Sequence, residues 1–145
     1  MGQVSATSSI DIAATTEQVL AAVSDYQSVR PEVLPANYRD YRVDAGGTGA
    51  GTVVHWILQA TEKRSRDVLA DVTVSTDTVT ETDRNSTLVT VYRVRPAGAG
   101  TRVETTTSWK GATGIGGFFE RTFAPKGLAR IQTELLGNLK RHVES

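Results

Sequence analysis

The last third of the chain carries the pattern that most restricts its fold. A helix from Pro125 to Val143 would be roughly 28 Å long at about 1.5 Å per residue, enough to lie across a whole sheet. The spacing of apolar residues in this segment is typical of an amphipathic helix with one buried face. The sequence therefore predicts one long helix packed on one sheet. The apolar residues that recur at steps of three or four are Leu128, Ile131, Leu135, Leu139 and Val143.

Two residues interrupt this helical pattern. Pro125 has no amide hydrogen, so we expect it in the first turn of the helix, after a short helical stub over Phe118–Phe123. Gly137 lies in the middle of the helix, where glycine costs about 1 kcal/mol relative to alanine. It is either a tolerated surface glycine or a point where the helix approaches a strand, and the sequence favours neither alternative.

The residues before the long helix alternate between apolar and polar, which predicts strands. Ser8–Ala13 is a first strand, and Thr15 with Gln18 forms a capping box that opens a short helix. That helix is followed by prolines at positions 31 and 35, which disfavour further helix. Six more strands are predicted, over Tyr38–Ala45, Thr52–Thr61, Arg66–Ser75, Thr78–Asp83, Thr87–Arg95 and Thr101–Lys110.

The predicted strands are rich in threonine and valine, as expected for an antiparallel sheet with one wet face and one buried face. The sequence thus predicts an α+β fold with helices on one side of a curved sheet. The glycine loop Gly46–Gly51 precedes a strand, whereas a dinucleotide-binding loop opens a helix. We therefore interpret it as a flexible hairpin turn.

Composition narrows the function further. The 145 residues form one predicted domain, residues 1–145, with no net charge and interspersed charges, which argues against nucleic-acid binding. The chain has no cysteine, and its two histidines are too few for a recognisable metal site. No apolar run is long enough to span a membrane, and we expect a cytoplasmic protein. We also expect it to be a monomer without a metal or cofactor.

Several local motifs and the order of elements resemble the START-like (SRPBCC) superfamily, in its bacterial polyketide cyclase/dehydrase-like and lipid-transport branch. The resemblance covers almost the whole chain, and its motifs are structural rather than catalytic. It implies a helix-grip fold, in which a curved antiparallel sheet of about six or seven strands wraps around the C-terminal helix and a short helical segment follows strand 1. The motifs are Thr16-Glu17-Gln18-Val19, Pro31 to Tyr38, Gly46 to Gly51, Glu81-Thr82-Asp83, Val94-Arg95-Pro96, Gly100-Thr101-Arg102-Val103 and Phe119-Glu120-Arg121 before Pro125.

The resemblance also implies a cavity between sheet and helix, and hence binding of a hydrophobic small molecule such as a lipid or polyketide. The alternatives are a polyketide aromatase/cyclase or dehydratase that uses the same cavity, and a protein-interaction module with a vestigial cavity. Tyr26 and Tyr38 are expected at the rim of the cavity. The candidate ligand-binding residues, each of which is otherwise plain core, are Tyr26, Tyr38, Trp56, Val68, Val72, Tyr92, Trp109, Phe118, Phe119 and Leu128.

Groups that could transfer a proton are few. His55 lies in a strand whose two faces are both apolar, so its direction stays open. Tyr92 is the other candidate for a catalytic role. By the alternation of their strands, Glu81 and Arg93 are expected to face outward. The sequence contains no nucleophile elbow for serine–histidine–aspartate catalysis.

Overall fold

The computed structural model describes residues 3–62, 64–110 and 125–145. Seven strands form one antiparallel sheet in the order β1-β7-β6-β5-β4-β3-β2, so the first and last strands are neighbours. The predicted sheet with a long C-terminal helix is confirmed. The elements are β1 (Gln3–Ile12), α1 (Thr16–Val23), α2 (Arg30–Val33), β2 (Tyr38–Ala45), β3 (Val53–Thr61), β4 (Arg64–Ser75), β5 (Thr78–Asp83), β6 (Val89–Ala97), β7 (Gly100–Lys110) and α3 (Pro125–Glu144).

Helix α1 begins where the capping box predicts. The Thr15 hydroxyl accepts a hydrogen bond from the Gln18 amide at 3.1 Å, and the Gln18 side chain accepts one from the Thr15 amide at 3.0 Å. These two bonds satisfy backbone donors that the first helical turn leaves free. Val19 and Val23 are buried on the inner side of the helix.

Helix α3 begins at Pro125, the position predicted for the first turn. Gly137 is partly exposed, and a methyl group added there would meet only the Arg141 side chain, at 3.8 Å. No strand of the described chain approaches it, so the surface alternative holds. The helical stub predicted over Phe118–Phe123 lies outside the described residues. Residues buried on the inner face of α3 are Leu128, Ile131, Gln132, Leu135, Leu136 and Leu139, while Val143 is partly buried.

The hairpin predicted at the glycine loop is present, but the loop is anchored. The Tyr26 amide donates to the Gly47 carbonyl at 2.8 Å, and the Gly49 amide donates to the Ser24 carbonyl at 2.9 Å. The loop between β2 and β3 is therefore held against the residues that follow α1. The expectation of a flexible turn is wrong, because these bonds come from a distant element that local sequence does not reveal.

The hydrophobic core lies between the inner face of the sheet and helices α1 and α3. On β7 the inward set is the predicted one, with Val103, Thr105, Thr107 and Trp109 all buried. Strand β1 starts at Gln3, five residues earlier than Ser8, and pairs with β7 along its length. Val4 and Ala6 continue the alternation of Ile10 and Ile12, a signal that the predicted start at Ser8 missed.

Candidate functional site

A small internal cavity lies between the sheet and α3. Its volume is about 20 Å³, which is room for about one water molecule. The wall is mixed, with aromatic and aliphatic side chains interrupted by hydroxyl, amide and carboxylate groups. The lining residues are Tyr38, Trp56, Leu58, Glu81, Leu88, Thr90, Tyr92, Thr107, Leu128 and Gln132.

Two buried polar atoms in this wall have no hydrogen-bond partner in the described part of the chain, Trp56 Nε1 and Gln132 Oε1. The amide nitrogen of Gln132 donates to the Thr107 hydroxyl at 2.5 Å, and Thr107 in turn contacts the Thr90 hydroxyl at 2.8 Å. A buried polar group left without a partner costs about 1–3 kcal/mol. Trp56 therefore has a free donor, and Gln132 a free acceptor, for an occupant of the cavity.

A buried ion pair lies at the edge of the cavity. Arg30 Nη1 donates to Glu81 Oε2 at 2.6 Å, and the Tyr26 hydroxyl donates to the same oxygen, also at 2.6 Å. Arg30 Nη2 donates to the Val23 carbonyl at 3.0 Å. The guanidinium also lies 4.2 Å from the ring centre of Tyr26 and 5.1 Å from that of Tyr92. The charge of each partner is thus neutralised inside the protein.

The predicted outward direction of Glu81 is wrong. On β5 the buried residues are Val79, Glu81 and Asp83, so the carboxylate faces inward. Burial of a carboxylate is tolerable only when a counter-charge and hydrogen bonds accompany it. Here they come from Arg30 on α2 and Tyr26 before it, residues more than fifty positions away. Arg93 is exposed, as predicted.

The tyrosines around the ion pair are held in their protonated form. Burial raises the pKa of Tyr38 and Tyr92 above the ordinary tyrosine value, and the negative charge of Glu81 adds to the effect. Burial likewise raises the pKa of Tyr26. Their hydroxyl groups therefore remain hydrogen-bond donors throughout the physiological pH range. Tyr38 also packs edge-on against Trp56, with ring centres 5.6 Å apart.

His55 lies on the opposite face of the sheet from the cavity. Its neighbours Val54 and Trp56 are buried in the core, while the imidazole contacts polar groups of adjacent strands. Nε2 lies 3.0 Å from Asp67 Oδ1, and Nδ1 lies 3.2 Å from Arg42 Nη1. Of the two candidate catalytic residues, Tyr92 lines the cavity and His55 does not.

The sequence-based candidates divide into three groups. Tyr38, Trp56, Tyr92 and Leu128 line the cavity. Phe118 and Phe119 lie outside the described residues. The other candidates are buried in the core without lining the cavity, and Tyr26 is fully buried rather than at a rim. These core residues are Tyr26, Val68, Val72 and Trp109.

Sequence reasoning missed the polar part of the wall, which comprises Glu81, Thr90, Thr107 and Gln132. A signal existed for Gln132, because it lies four residues after Leu128 and so on the same helix face. Thr107 belongs to the predicted inward face of β7 but was not named as a ligand contact. Leu58 and Leu88 were missed as well.

Other sites are less favourable within the described residues. Two larger depressions, of about 420 Å³ and 260 Å³, are open surface grooves near the C-terminus of α3. No group of acidic or histidine side chains in the described ranges could hold a metal ion. None of the helices described is long and apolar enough to cross a membrane.

Comparison with known proteins identifies the family of this chain. The model of the family described as "Polyketide cyclase / dehydrase and lipid transport" matches residues 3–144. The chain belongs to this family. A solved structure of KanY protein (ms6282) is 57% identical to this member of the family over 100% of both chains, with a TM-score of 0.92.

More distant structures share the helix-grip fold alone. A START superfamily protein from Mycobacterium smegmatis is 14% identical, with 99% of this chain and 98% of that chain covered and a TM-score of 0.72. Norcoclaurine synthase from Thalictrum flavum is 13% identical, with 98% and 94% covered and a TM-score of 0.70. A search of curated proteins finds no match to this family member.

Proposed function

We propose that this protein binds an apolar small molecule, bearing at least one hydrogen-bonding group, in the cavity between the sheet and α3. The observation that carries the proposal is the pair of unpartnered atoms in the wall, Trp56 Nε1 and Gln132 Oε1. A lipid or polyketide with a hydroxyl or carbonyl group would satisfy them while its apolar part contacts Leu58 and Leu128. Ligand sites of this kind are mostly apolar, with a few placed polar groups.

Binding requires the cavity to expand. Among the described residues its volume of about 20 Å³ is room for about one water molecule, so we expect a ligand to displace lining side chains. Leu88 immediately precedes β6, and Leu128 lies in the first turn of α3. Side chains near the ends of elements move at lower cost than those in the middle of a sheet. We expect these two residues to shift most when a ligand enters.

The second candidate function is a cyclase or dehydratase acting on a bound polyketide. Tyr92 favours it, because this residue lines the cavity and its protonated hydroxyl can donate a hydrogen bond to a substrate carbonyl. Burial raises the pKa of Tyr92, which makes the hydroxyl a weaker acid than an exposed tyrosine. Turnover of a polyketide substrate that is lost in Tyr92→Phe, with binding retained, would establish this function. The observed wall supports binding more directly than catalysis.

The test of binding uses 2-naphthol and the uncharged fluorophore Nile red. Trp56 lies in the wall, so a ligand in the cavity should quench tryptophan emission saturably, with micromolar affinity, or about −8 kcal/mol. Native mass spectrometry of freshly purified protein would show whether a natural apolar ligand accompanies it.

Thr107→Phe and Thr106→Phe form a matched pair for the location of the site. The two positions are adjacent on β7, but Thr107 lines the cavity and Thr106 lies on the opposite face. Thr107→Phe should abolish binding with the fold retained by circular dichroism, and Thr106→Phe should bind as wild type does. Absence of saturable binding of both probes to the wild type would overturn the proposal and favour an interaction module.

A further inference from the structure

The charged edge of the cavity has a consequence for the kind of ligand that fits. We propose that Glu81 is a specificity-determining residue, which excludes carboxylates and other anions and accepts a hydrogen bond from a hydroxyl of an uncharged ligand. This inference rests on the proposed function, because it concerns the same cavity. It assigns a role to an ion pair that a purely apolar site would not need.

The geometry of the carboxylate leaves one oxygen for a ligand. Both hydrogen bonds that Glu81 receives from the described residues, from Arg30 and from Tyr26, end on Oε2. Oε1 receives none from them, while the residue itself lines the cavity. A carboxylate oxygen accepts hydrogen bonds only, so it calls for a donor. A ligand hydroxyl would be such a donor.

The balance of charge argues against an anion. Glu81 is the one charged side chain among the described lining residues, which include no lysine, arginine or histidine. Arg30 already donates from Nη1 to Glu81 and from Nη2 to the Val23 carbonyl. Its guanidinium also lies against the rings of Tyr26 and Tyr92. A ligand carboxylate would thus be buried beside Glu81 without a counter-charge of its own. In a poorly solvated interior this repulsion is only weakly screened.

The remaining polar atoms fit an uncharged hydroxyl compound. Gln132 Oε1 and Trp56 Nε1 have no partner among the described residues, so the first is free to accept a hydrogen bond and the second to donate one. A phenol, enol or alcohol can both donate and accept, so it can satisfy either atom as well as Glu81 Oε1. A carboxylate has no proton to donate. The wall therefore selects hydroxylated uncharged ligands over fatty-acid-like anions.

The test compares 2-naphthol with 2-naphthoate at pH 7, because the two probes share the same ring system and differ in charge. Calorimetric titration of the wild type should show 2-naphthol binding at least about tenfold more tightly. In Glu81→Gln the positive charge of Arg30 no longer has a counter-charge, so the preference should reverse towards 2-naphthoate. Glu134→Gln changes an exposed acid of α3 and should leave the wild-type ratio unchanged.

The outcomes separate this inference from the proposed function. Failure of both probes to bind the wild type would overturn the cavity itself. Equal affinities for the two probes in the wild type, or an unchanged ratio in folded Glu81→Gln, would overturn the role of Glu81 while the cavity stands. If Glu81→Gln does not fold, Arg30→Met/Glu81→Gln removes both charges and should bind 2-naphthoate within a few-fold of 2-naphthol. Retention of the wild-type preference in that double variant would also refute the role of Glu81.

Discussion

Arg30 and Glu81 form a salt bridge of 2.6 Å between residues that are 51 positions apart in the chain. Their side chains are only 3% and 4% exposed, so the pair is removed from solvent. Arg30 begins α2 and Glu81 lies in β5, and the bond therefore ties a four-residue helix to the inner face of the sheet. A helix this short has little stability of its own. The ion pair therefore helps to hold α2 in position, together with the buried Val33 and the hydrogen bond from Asn138 Nδ2 to the Val33 carbonyl.

Breaking the pair should be costly, and removing both charges should cost less. Arg30→Met leaves Glu81 buried without a counter-charge, and Glu81→Gln does the same to Arg30. Each single variant should lose about 3–5 kcal/mol of the free energy of unfolding. The double variant Arg30→Met/Glu81→Gln should lose less than the sum of the two. Urea denaturation of all four proteins measures this coupling.

An exposed pair supplies the control for this cycle. Arg84 and Asp71 approach to 2.7 Å, but their side chains are 50% and 46% exposed. Arg84→Met and Asp71→Asn should each change stability by less than about 1 kcal/mol, because solvent screens such pairs. Losses of equal size at the exposed and buried pairs would contradict the argument from burial.

Helix and strand positions followed from local patterns, and the chemistry of the cavity did not. The stripe from Leu128 to Leu139 and the capping box of Thr15 are local signals, and the structure has both. The direction of Glu81 depended on Arg30, whose approach is set by the tertiary fold. No periodicity rule can supply such a partner. The alternation assumed for this strand therefore gave the wrong direction at this residue.

The cavity wall shows the same division. Tyr92 could be identified from alternation as a large cavity candidate, whereas Val68 and Val72 share that alternation and pack in solid core. Alternation identifies which residues of a strand face inward, but not which of them lie beside the cavity. His55 could not be assigned because Val54 and Ile57 make both faces of its strand apolar. Its contact with Asp67 on β4 resolves the direction.

The interface between α3 and the core predicts a strong effect at Leu135. This side chain is 3% exposed in the apolar stripe of α3. Leu135→Asp would bury a carboxylate without a partner, so we expect a loss above about 4 kcal/mol and an unfolded or barely folded domain. Glu134→Asp, at the exposed neighbouring position, is the control. A thermal midpoint of Leu135→Asp within a few degrees of wild type would refute the packing of α3 on the sheet.

Two glycines should respond to alanine with opposite signs. At Gly137, in the middle of α3, the added methyl group meets only Arg141 Nη1, at 3.8 Å. Gly137→Ala should therefore raise stability by about 1 kcal/mol through helix propensity and lower entropy of the unfolded chain. At Gly100 the added methyl group would lie 2.5 Å from the Ile12 carbonyl oxygen. Gly100→Ala should lower the thermal midpoint, because β1 and β7 must move apart there.

Differential scanning calorimetry of the two alanine variants checks these signs. For a domain of this size, a gain of 1 kcal/mol raises the midpoint by about 4 °C. A fall in the midpoint of Gly137→Ala would show that α3 is more tightly enclosed at this residue than the contacts indicate.

All four tyrosines should resist ionisation in the folded protein. The pKa of Tyr26, Tyr38, Tyr41 and Tyr92 is raised above the ordinary value near 10, and burial is the largest cause in each case. Tyr41 additionally donates its hydroxyl to the Tyr26 carbonyl at 2.5 Å. The absorbance change of tyrosinate should therefore be absent near pH 10, where tyrosines of an unfolded chain ionise.

Stability should fall above that pH. Because the folded pKa of each tyrosine exceeds the unfolded one, the folded protein holds more protons between the two values, and the free energy of unfolding decreases as pH rises. In that window each tyrosine lowers the free energy of unfolding by up to about 1.4 kcal/mol per pH unit. Below the window it causes no change with pH. Urea denaturation at pH 8, 10 and 11 should show a steepening loss, with tyrosinate absorbance appearing together with unfolding. Tyr92→Phe supplies the comparison, since it removes one ionisation and should make the loss of stability with rising pH shallower. Normal titration near pH 10 with intact circular dichroism would contradict the buried placement of these rings around Arg30 and Glu81.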